Sequence, residues 1–188
     1  MKKVIYFNLL ALMTILSSCR VFYENPQPLN TKELNTIPSE LTGTYIEADS
    51  HDTLIVTGDS YHFKEHSPGS GDSGQNKGTL NSGETVLKRL DGNYILSRKI
   101  DDAPENFPEN IWMVYLLKYR DNELKVSYLG CDDKKIDKLV VSMKKIVPVK
   151  ELKDKDETDY LINPSKKQFK KLIDTGLFQD AYKFVKIK

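Results

Sequence analysis

Alternating apolar and polar residues, separated by turn residues, dominate the middle of the chain. The first clear example is a pair of runs, residues 53–57 and 60–64, which flank Gly58-Asp59. A glycine in such a position readily adopts the positive φ angles that many tight turns need. The pattern predicts an antiparallel hairpin in which alternate side chains share one face.

A second hairpin is predicted in the same way, and a strongly apolar strand follows it. Residues 85–90 and 94–98 surround Asp91-Gly92-Asn93. Residues 111–117 are apolar at every position, which is typical of a strand that is covered on both faces. We expect this strand to be the most buried one in the domain.

The remaining runs complete the predicted sheet. The chain turns at residues 120–122 into the alternating residues 124–128. Residues 139–141 and 143–149 predict one long or bent strand, and residues 182–187 a final strand. About eight short strands, then a helix and a last strand, predict a mainly β domain of the α+β class. We expect an antiparallel meander that forms a small barrel or sandwich.

One helix is predicted near the C-terminus. Asn163 is suited to cap it, with Pro164 at the first helical position, and Gly176 is suited to end it. Apolar side chains recur between them at helical spacing: Phe169, Leu172 and Ile173. The opposite face carries four cations: Lys166, Lys167, Lys170 and Lys171. These lysines are candidates for contact with an anion or a membrane surface, and a solvated helix face is the alternative.

The N-terminus has the organisation of an export signal. Met1-Lys2-Lys3 is a short basic segment, residues 4–15 are almost entirely apolar, and Leu16-Ser17-Ser18-Cys19 ends the run. A basic start, a short apolar middle and small residues before a cleavage point are typical of secretory signals. The apolar run is too short for a membrane-spanning helix, which needs about 20 residues.

Leu16-Ser17-Ser18-Cys19 resembles the lipobox of bacterial lipoproteins. The resemblance implies a lipoprotein signal peptide of residues 1–18 and a diacylglyceryl group on Cys19. It also implies attachment to a membrane of the cell envelope, and we expect the periplasmic face of the outer membrane. This covalent lipid takes the place of a cofactor, and no other cofactor is predicted. An ordinary secretory signal with an incidental cysteine is the alternative.

The predicted domain organisation follows from these segments. Residues 19–40 contain three prolines among polar residues and are predicted to be a flexible tether. Residues 41–148 form the antiparallel β-domain. Residues 149–163 form a charged connector, and residues 164–188 contribute the C-terminal helix and strand that pack on the β-domain.

Composition excludes some classes of function but does not identify one. The chain has 188 residues with 28 basic and 27 acidic side chains, a size that fits one domain with its own core. After residue 117 the cations are lysines, apart from Arg120. Because arginine is the residue favoured for reading bases and phosphates, nucleic acid is not expected as a partner. With only Cys19 and Cys131, the chain is not a disulfide scaffold, and we expect Cys131 to be a lone buried thiol.

Residues 41–188 also resemble lipocalin-like β-barrels in layout. Gly43-Thr44-Tyr45 is similar to the Gly-x-Trp tripeptide that begins lipocalin barrels, with Tyr in place of Trp. Thr158-Asp159-Tyr160 matches a second lipocalin tripeptide, although here it precedes the helix rather than another strand. The resemblance implies a β-domain with a ligand pocket. Four aromatic residues are the candidates to line it: Tyr45, Trp112, Tyr115 and Tyr128.

No metal site or catalytic group is predicted. The three histidines, His51, His62 and His66, lie close together in sequence and are weak candidates for metal ligands. If Tyr61 and Phe63 face inward, His62 faces outward, so an ordinary surface position is expected. The chain shows no nucleophile, base and orienting group at a recognisable spacing, so we do not expect an enzyme.

Two functions remain after these exclusions. The first is a non-catalytic, membrane-anchored envelope lipoprotein whose β-domain binds a small apolar or amphipathic ligand. The alternative is a protein-interaction module, namely an inhibitor, an immunity protein or an accessory subunit of an envelope complex. The two hypotheses are distinguished by whether the β-domain contains a cavity or a filled core.

Overall fold

The structure is a computed structural model, and it describes residues 19–64, 77–100, 107–131, 135–154 and 157–188. These residues form thirteen strands, two α-helices and a 3-10 helix. The strands are β1 (Cys19–Tyr23), β2 (Gly43–Glu47), β3 (Thr53–Val56), β4 (Ser60–Lys64), β5 (Lys77–Thr79), β6 (Thr85–Leu90), β7 (Asn93–Lys99), β8 (Trp112–Arg120), β9 (Glu123–Tyr128), β10 (Gly130–Cys131), β11 (Val149–Asp154), β12 (Glu157–Ile162) and β13 (Gln179–Lys186). The helices are α1 (Ile136–Lys144), α2 (Lys166–Asp174) and the 3-10 helix Ser39–Leu41.

The strands belong to one mixed sheet. Its longest path runs β11-β12-β1-β8-β9-β13-β2-β3-β4-β5, and the β6–β7 hairpin is attached to β8. The β1–β12 pair is parallel, and the other pairs are antiparallel. Within the described residues β5 and β6 are not paired with each other. The mainly β prediction is therefore confirmed. Of the two predicted forms, the open sheet agrees with a sandwich and not with a barrel. The parallel β1–β12 pair departs from the predicted antiparallel meander, and the strands outnumber the eight expected.

The predicted hairpins are present with their turns in the expected places. Asp91 and Gly92 join β6 to β7 with φ angles of 48° and 84°, and Asp121 and Asn122 join β8 to β9 with 52° and 63°. Positive φ at both central residues is the mark of the type I′ turn, which suits the twist of antiparallel strands. These turns fix the register of the strands that surround the candidate site.

Strand β8 is covered on both faces along most of its length, as its continuous apolar run predicted. On one face Val114 and Leu116 pack into an outer cluster formed with β1, β12 and the two helices. On the other face Leu117 and Tyr119 pack against an inner cluster, in which residues of β2, β3, β6, β7, β9 and β13 meet. Because distant strands share the inner cluster, the sheet curls around it.

The predicted tether at residues 19–40 is instead part of the folded domain. Val21, Phe22 and Tyr23 in β1 are fully buried, and β1 lies between β12 and β8. Gln27 is also buried, and its backbone N–H donates to Ser97 Oγ at 3.0 Å. The proline content suggested a linker, but the short apolar run at residues 21–23 adds a strand to the sheet.

The same segment is held by a buried lysine. Lys88 in β6 has a nearly inaccessible side chain, and its ammonium donates to the carbonyls of Pro26 at 3.2 Å and Pro28 at 3.3 Å. Burial lowers the pKa of Lys88, and the nearby carboxylate of Glu33 opposes this effect. The Pro-rich segment therefore supplies acceptors that a buried cation needs.

The predicted long strand at residues 139–149 is not formed: helix α1 ends at Lys144, and β11 begins only at Val149. Leu139, Val140 and Met143 in α1 are buried in the outer cluster, and Val141 between them is exposed. This spacing places the three buried side chains on one helical face. The β-branched residues favoured a strand, and packing against the outer face of the sheet overrides that preference.

The predicted charged connector at residues 149–163 is largely the hairpin β11–β12. Its registered pairs run from Val149 opposite Ile162 to Asp154 opposite Glu157. Leu152 and residues 160–162 are buried. The alternating charges of β11 lie along the edge of the sheet, where charged residues protect an unpaired strand from further pairing.

Helix α2 and the final strand β13 confirm the predicted C-terminal elements, but the cap is shifted. Ser165, not Asn163, is the N-cap: its Oγ accepts from the backbone N–H of Gln168 at 3.4 Å. The side chain of Gln168 accepts from the backbone N–H of Ser165 at 2.9 Å, which completes a capping box. Gly176 follows the helix with a φ of 69°, as predicted for its C-terminal end.

Candidate ligand cavity

A cavity of about 240 Å³ lies inside the curled part of the sheet. Its wall is built mainly from aliphatic and aromatic side chains of β3, β4, β6, β7, β8, β9 and β13, together with Ile37 and Leu41 from the segment before β2. Strand alternation explains the lining. In β7, Leu96 and Arg98 line the cavity, whereas Ile95, which directly precedes Leu96, is buried in the outer cluster.

A compact group of residues around Tyr45 lies behind the part of the cavity wall formed by Leu41. The 3-10 helix Ser39–Leu41 precedes β2, and Tyr45 donates its hydroxyl to the Leu41 carbonyl at 2.8 Å. The ammonium of Lys186 lies 5.8 Å from the ring centroids of both Tyr45 and Tyr119, within cation–π range. The described lining residues do not include Tyr45, which is buried behind them.

The backbone around Gly43 explains why this position is a glycine. Its φ is +143°, and a Cβ at this position would lie 2.2 Å from the carbonyl oxygen of Lys188. A side chain is therefore excluded by the close approach of the C-terminal backbone. The Gly43-Thr44-Tyr45 tripeptide thus joins the start of β2 to the end of the chain.

Four polar side chains are gathered on one part of the cavity wall: Tyr61, Arg98, Tyr115 and Tyr182. Burial raises the pKa of Tyr115 to about 12, with further contributions from the nearby charges of other tyrosines and an opposing one from Arg98. Burial also raises the pKa of Tyr61, against the opposing effects of Arg98 and of a hydrogen bond with Thr85. The Tyr61 and Tyr115 hydroxyls are therefore protonated near neutral pH, and the Arg98 guanidinium lies close enough to interact with both.

Arg98 forms no ion pair with an acidic side chain in the part of the chain that the structure describes. Its guanidinium is permanently charged and offers several N–H donors in a plane. The cavity therefore combines an apolar wall with a local excess of hydrogen-bond donors and positive charge.

Aromatic rings line the side of the cavity that meets solvent. Tyr182 is 41% exposed and is the most accessible lining side chain. The Phe63 ring lies 5.7 Å from that of Tyr182 and 6.1 Å from that of Phe184, centroid to centroid. The ring of Tyr128 lies 6.4 Å from that of Tyr115. A ligand entering here meets rings that are apolar in the body and polar at the tip.

The four aromatic residues predicted to line a pocket have different positions. Tyr115 lines the cavity, and Tyr128 contacts its ring. Tyr45 lies behind the wall and holds Leu41 through its hydroxyl, and Trp112 lies on the opposite face of β8 in the outer cluster. Sequence reasoning did not select Arg98, although its spacing from Tyr94 and Leu96 places all three on the same strand face.

The lysine face of α2 is only partly free. Lys170 forms ion pairs with Asp91 of the β6–β7 turn and with Asp174, and the hydrogen bond to Asp91 is the main cause of its raised pKa. Lys166, Lys167 and Lys171 are exposed. One lysine of the predicted contact surface therefore ties α2 to the sheet.

The histidine candidates are not assembled into a metal site in the described ranges. His62 lies in β4 opposite Ile55, and His51 lies in the turn between β2 and β3. His66 is outside the described residues. Within those residues no group of three His, Cys, Asp or Glu side chains is suited to hold a metal ion.

Cys19, the predicted acylation site, is the first residue of β1. Its backbone is paired with that of Cys131 in the antiparallel β1–β10 ladder. The residues of the predicted signal peptide lie outside the described ranges. Within those ranges no helix combines the length and apolar character needed to cross a membrane.

Comparison of the chain with protein-family models, with curated protein sequences and with solved structures finds no match.

Proposed function

We propose that this protein is a non-catalytic envelope lipoprotein whose curled β-domain binds a small amphipathic ligand in the cavity. The observation that supports this function most directly is the apolar space of about 240 Å³ inside the sheet. Small-molecule sites are typically concave and mostly apolar, with a few polar groups that fix the orientation of the ligand. The cavity wall has this composition.

The size of the cavity limits the ligand. At about 240 Å³ the cavity lies just below the range of about 300–1,000 Å³ that is typical of sites for drug-sized ligands, so it suits a small ligand. Each buried methylene contributes about 0.8 kcal/mol to transfer from water. A chain of about eight carbons would gain about 6 kcal/mol from complete burial, which is enough for binding in the micromolar to millimolar range.

The lipid anchor belongs to the same proposal. It is supported by the lipobox-like sequence Leu16-Ser17-Ser18-Cys19. Two or more acyl chains hold a protein firmly on a membrane, whereas a single chain binds only reversibly. A lipid on Cys19 would keep the cavity close to a membrane surface, where amphipathic molecules are concentrated.

Native mass spectrometry of the full chain purified from bacterial membranes tests this function. We expect a co-purified small molecule, or uptake of one added equivalent of octanol. Failure to retain or take up any small molecule would contradict the proposal. Stable co-purification of one envelope protein by the empty form would instead favour the interaction module.

A further inference from the structure

The described wall of the cavity carries a positive charge but no negative charge. Arg98 lies on the wall with the hydroxyls of Tyr61 and Tyr115, and the rest of the lining is largely apolar. No acidic side chain is among the lining residues that the structure describes. The polar part of the wall therefore offers a positive charge and hydrogen-bond donors without a negative charge to match.

This arrangement favours an anion over a neutral ligand. A guanidinium remains charged whatever its surroundings, so placing it beside an apolar space costs part of its hydration without removing the charge. Electrostatic attraction is also stronger there than in water, because the effective dielectric constant is lower. The protonated hydroxyls of Tyr61 and Tyr115 can donate to the same anion, and they carry no charge that would repel it.

We propose that the ligand is an amphipathic monocarboxylate of about eight carbons, whose carboxylate is bound by Arg98 with Tyr61 and Tyr115 and whose tail lies among Leu96, Leu117 and Val126. This inference rests on the proposed function, because it assumes that the cavity holds a ligand. A carboxylate matches the planar donors of one guanidinium in bidentate geometry. One arginine also balances one negative charge, whereas a doubly charged phosphate would leave a charge uncompensated.

The head group is tested with two probes of equal chain length, octanoate and octanol. The full chain is reconstituted in phosphatidylcholine nanodiscs and titrated calorimetrically, with empty nanodiscs as the blank. We expect octanoate to bind at least tenfold more tightly than octanol. In Arg98→Met we expect the octanoate affinity to fall at least tenfold and the octanol affinity to change less than threefold.

The matched control is Arg120→Met, which removes an arginine whose side chain is 90% exposed on the β8–β9 turn. It should leave the affinity for both probes unchanged. Tyr115→Phe is a second test that does not depend on the folding of Arg98→Met. It removes only a hydroxyl and should weaken octanoate binding severalfold without weakening octanol binding.

The outcomes distinguish failure of the carboxylate assignment from failure of the ligand site itself. Equal binding of octanoate and octanol to the unmodified protein overturns the assignment of the head group, while the cavity remains a ligand site. An octanoate preference that survives in folded Arg98→Met also overturns it. Failure of both probes to bind contradicts the ligand site itself.

Discussion

Arg20 and Asp159 form an ion pair that joins the start of β1 to β12. Arg20 Nη2 lies 3.0 Å from Asp159 Oδ2, and the backbone N–H of Arg20 donates to Asp159 Oδ1 at 3.0 Å. The Asp159 side chain is only 5% exposed. Because Arg20 directly follows the proposed acylation site, no flexible spacer separates Cys19 from the folded domain. A lipid on Cys19 would therefore place the domain directly against the membrane.

Asp159→Asn should destabilise this junction. The substitution keeps the shape of the side chain but removes its charge, so the three charge-assisted hydrogen bonds from Arg20 weaken. Hydrogen bonds to charged groups contribute about 1.5–3 kcal/mol, and we expect a loss of about 1–2 kcal/mol because Arg20 is partly exposed. Urea unfolding followed by circular dichroism measures this loss. The control Asp174→Asn, at an exposed pair on α2, should cost no more than about 0.5 kcal/mol; equal losses in both variants would contradict the role of Asp159.

Acylation of Cys19 is tested by the intact mass of the full chain expressed in a bacterium with an outer membrane. We expect a chain that begins at Cys19 and carries a diacylglyceryl group. Cys19→Ser should remain unprocessed, whereas Ser18→Ala, which keeps a small residue before the cleavage point, should be processed normally.

The pairing of Cys19 with Cys131 in the β1–β10 ladder defines the opposite result. Residues directly opposite in an antiparallel pair have Cα atoms about 4.5–5.5 Å apart, within the range found for disulfides. A chain without lipid in which peptide mapping joins Cys19 to Cys131 would contradict the anchor.

Ser165→Ala should destabilise α2 by removing its capping box. Loss of a serine N-cap typically costs about 1 kcal/mol, because backbone N–H groups of the first turn lose their acceptor. Asn163→Ala should cost less, since Asn163 lies outside the helix and its contacts with Glu24 and Asn25 are exposed. Thermal unfolding of the two variants compares these effects. A larger loss in Asn163→Ala would favour the cap expected from the sequence.

The unfolding free energy should fall at alkaline pH through Tyr115. Its pKa in the folded protein is raised to about 12, mainly by burial, from an ordinary value of 10.0. Between these values the unfolded chain loses the proton more readily, so stability that is present below pH 10 is lost as the pH rises towards 12. Tyr115→Phe should flatten this decline in urea unfolding measured from pH 9 to pH 12. An identical decline in the variant would contradict the burial of Tyr115.

The hairpins and the doubly covered strand could be predicted because their signals are local. Asp91-Gly92 and Asp121-Asn122 provide turn chemistry, and the apolar run of β8 is unbroken. Helix α1 could not be separated from a strand, since Leu139 and Val140 suit both and only packing on the outer cluster decides. Strand β1 is too short to show a period, and its structure depends on β12, more than a hundred residues away.

The sequence indicated a pocket with aromatic residues in its wall, but not which of the four candidates line it. Tyr115 was expected to line a pocket because the layout of the strands resembled a lipocalin-like barrel, and it lies in the cavity wall. The direction of each residue depends on which face of β8 turns inward, and this placed Trp112 in the outer cluster. Arg98 was missed because a charged residue near a strand end is usually solvated. Its position in the cavity depends on how far the sheet curls.

The most direct measurement of the central claim is octanol binding to a variant with a filled cavity. Val126 lines the cavity, and Val126→Trp should occupy the space that the ligand needs. Val141→Trp makes the same substitution at an exposed position on α1. Calorimetric titration of the full chain in nanodiscs should show octanol binding in the unmodified protein and in Val141→Trp, and none in folded Val126→Trp. Undiminished binding in Val126→Trp would contradict a ligand site inside the sheet.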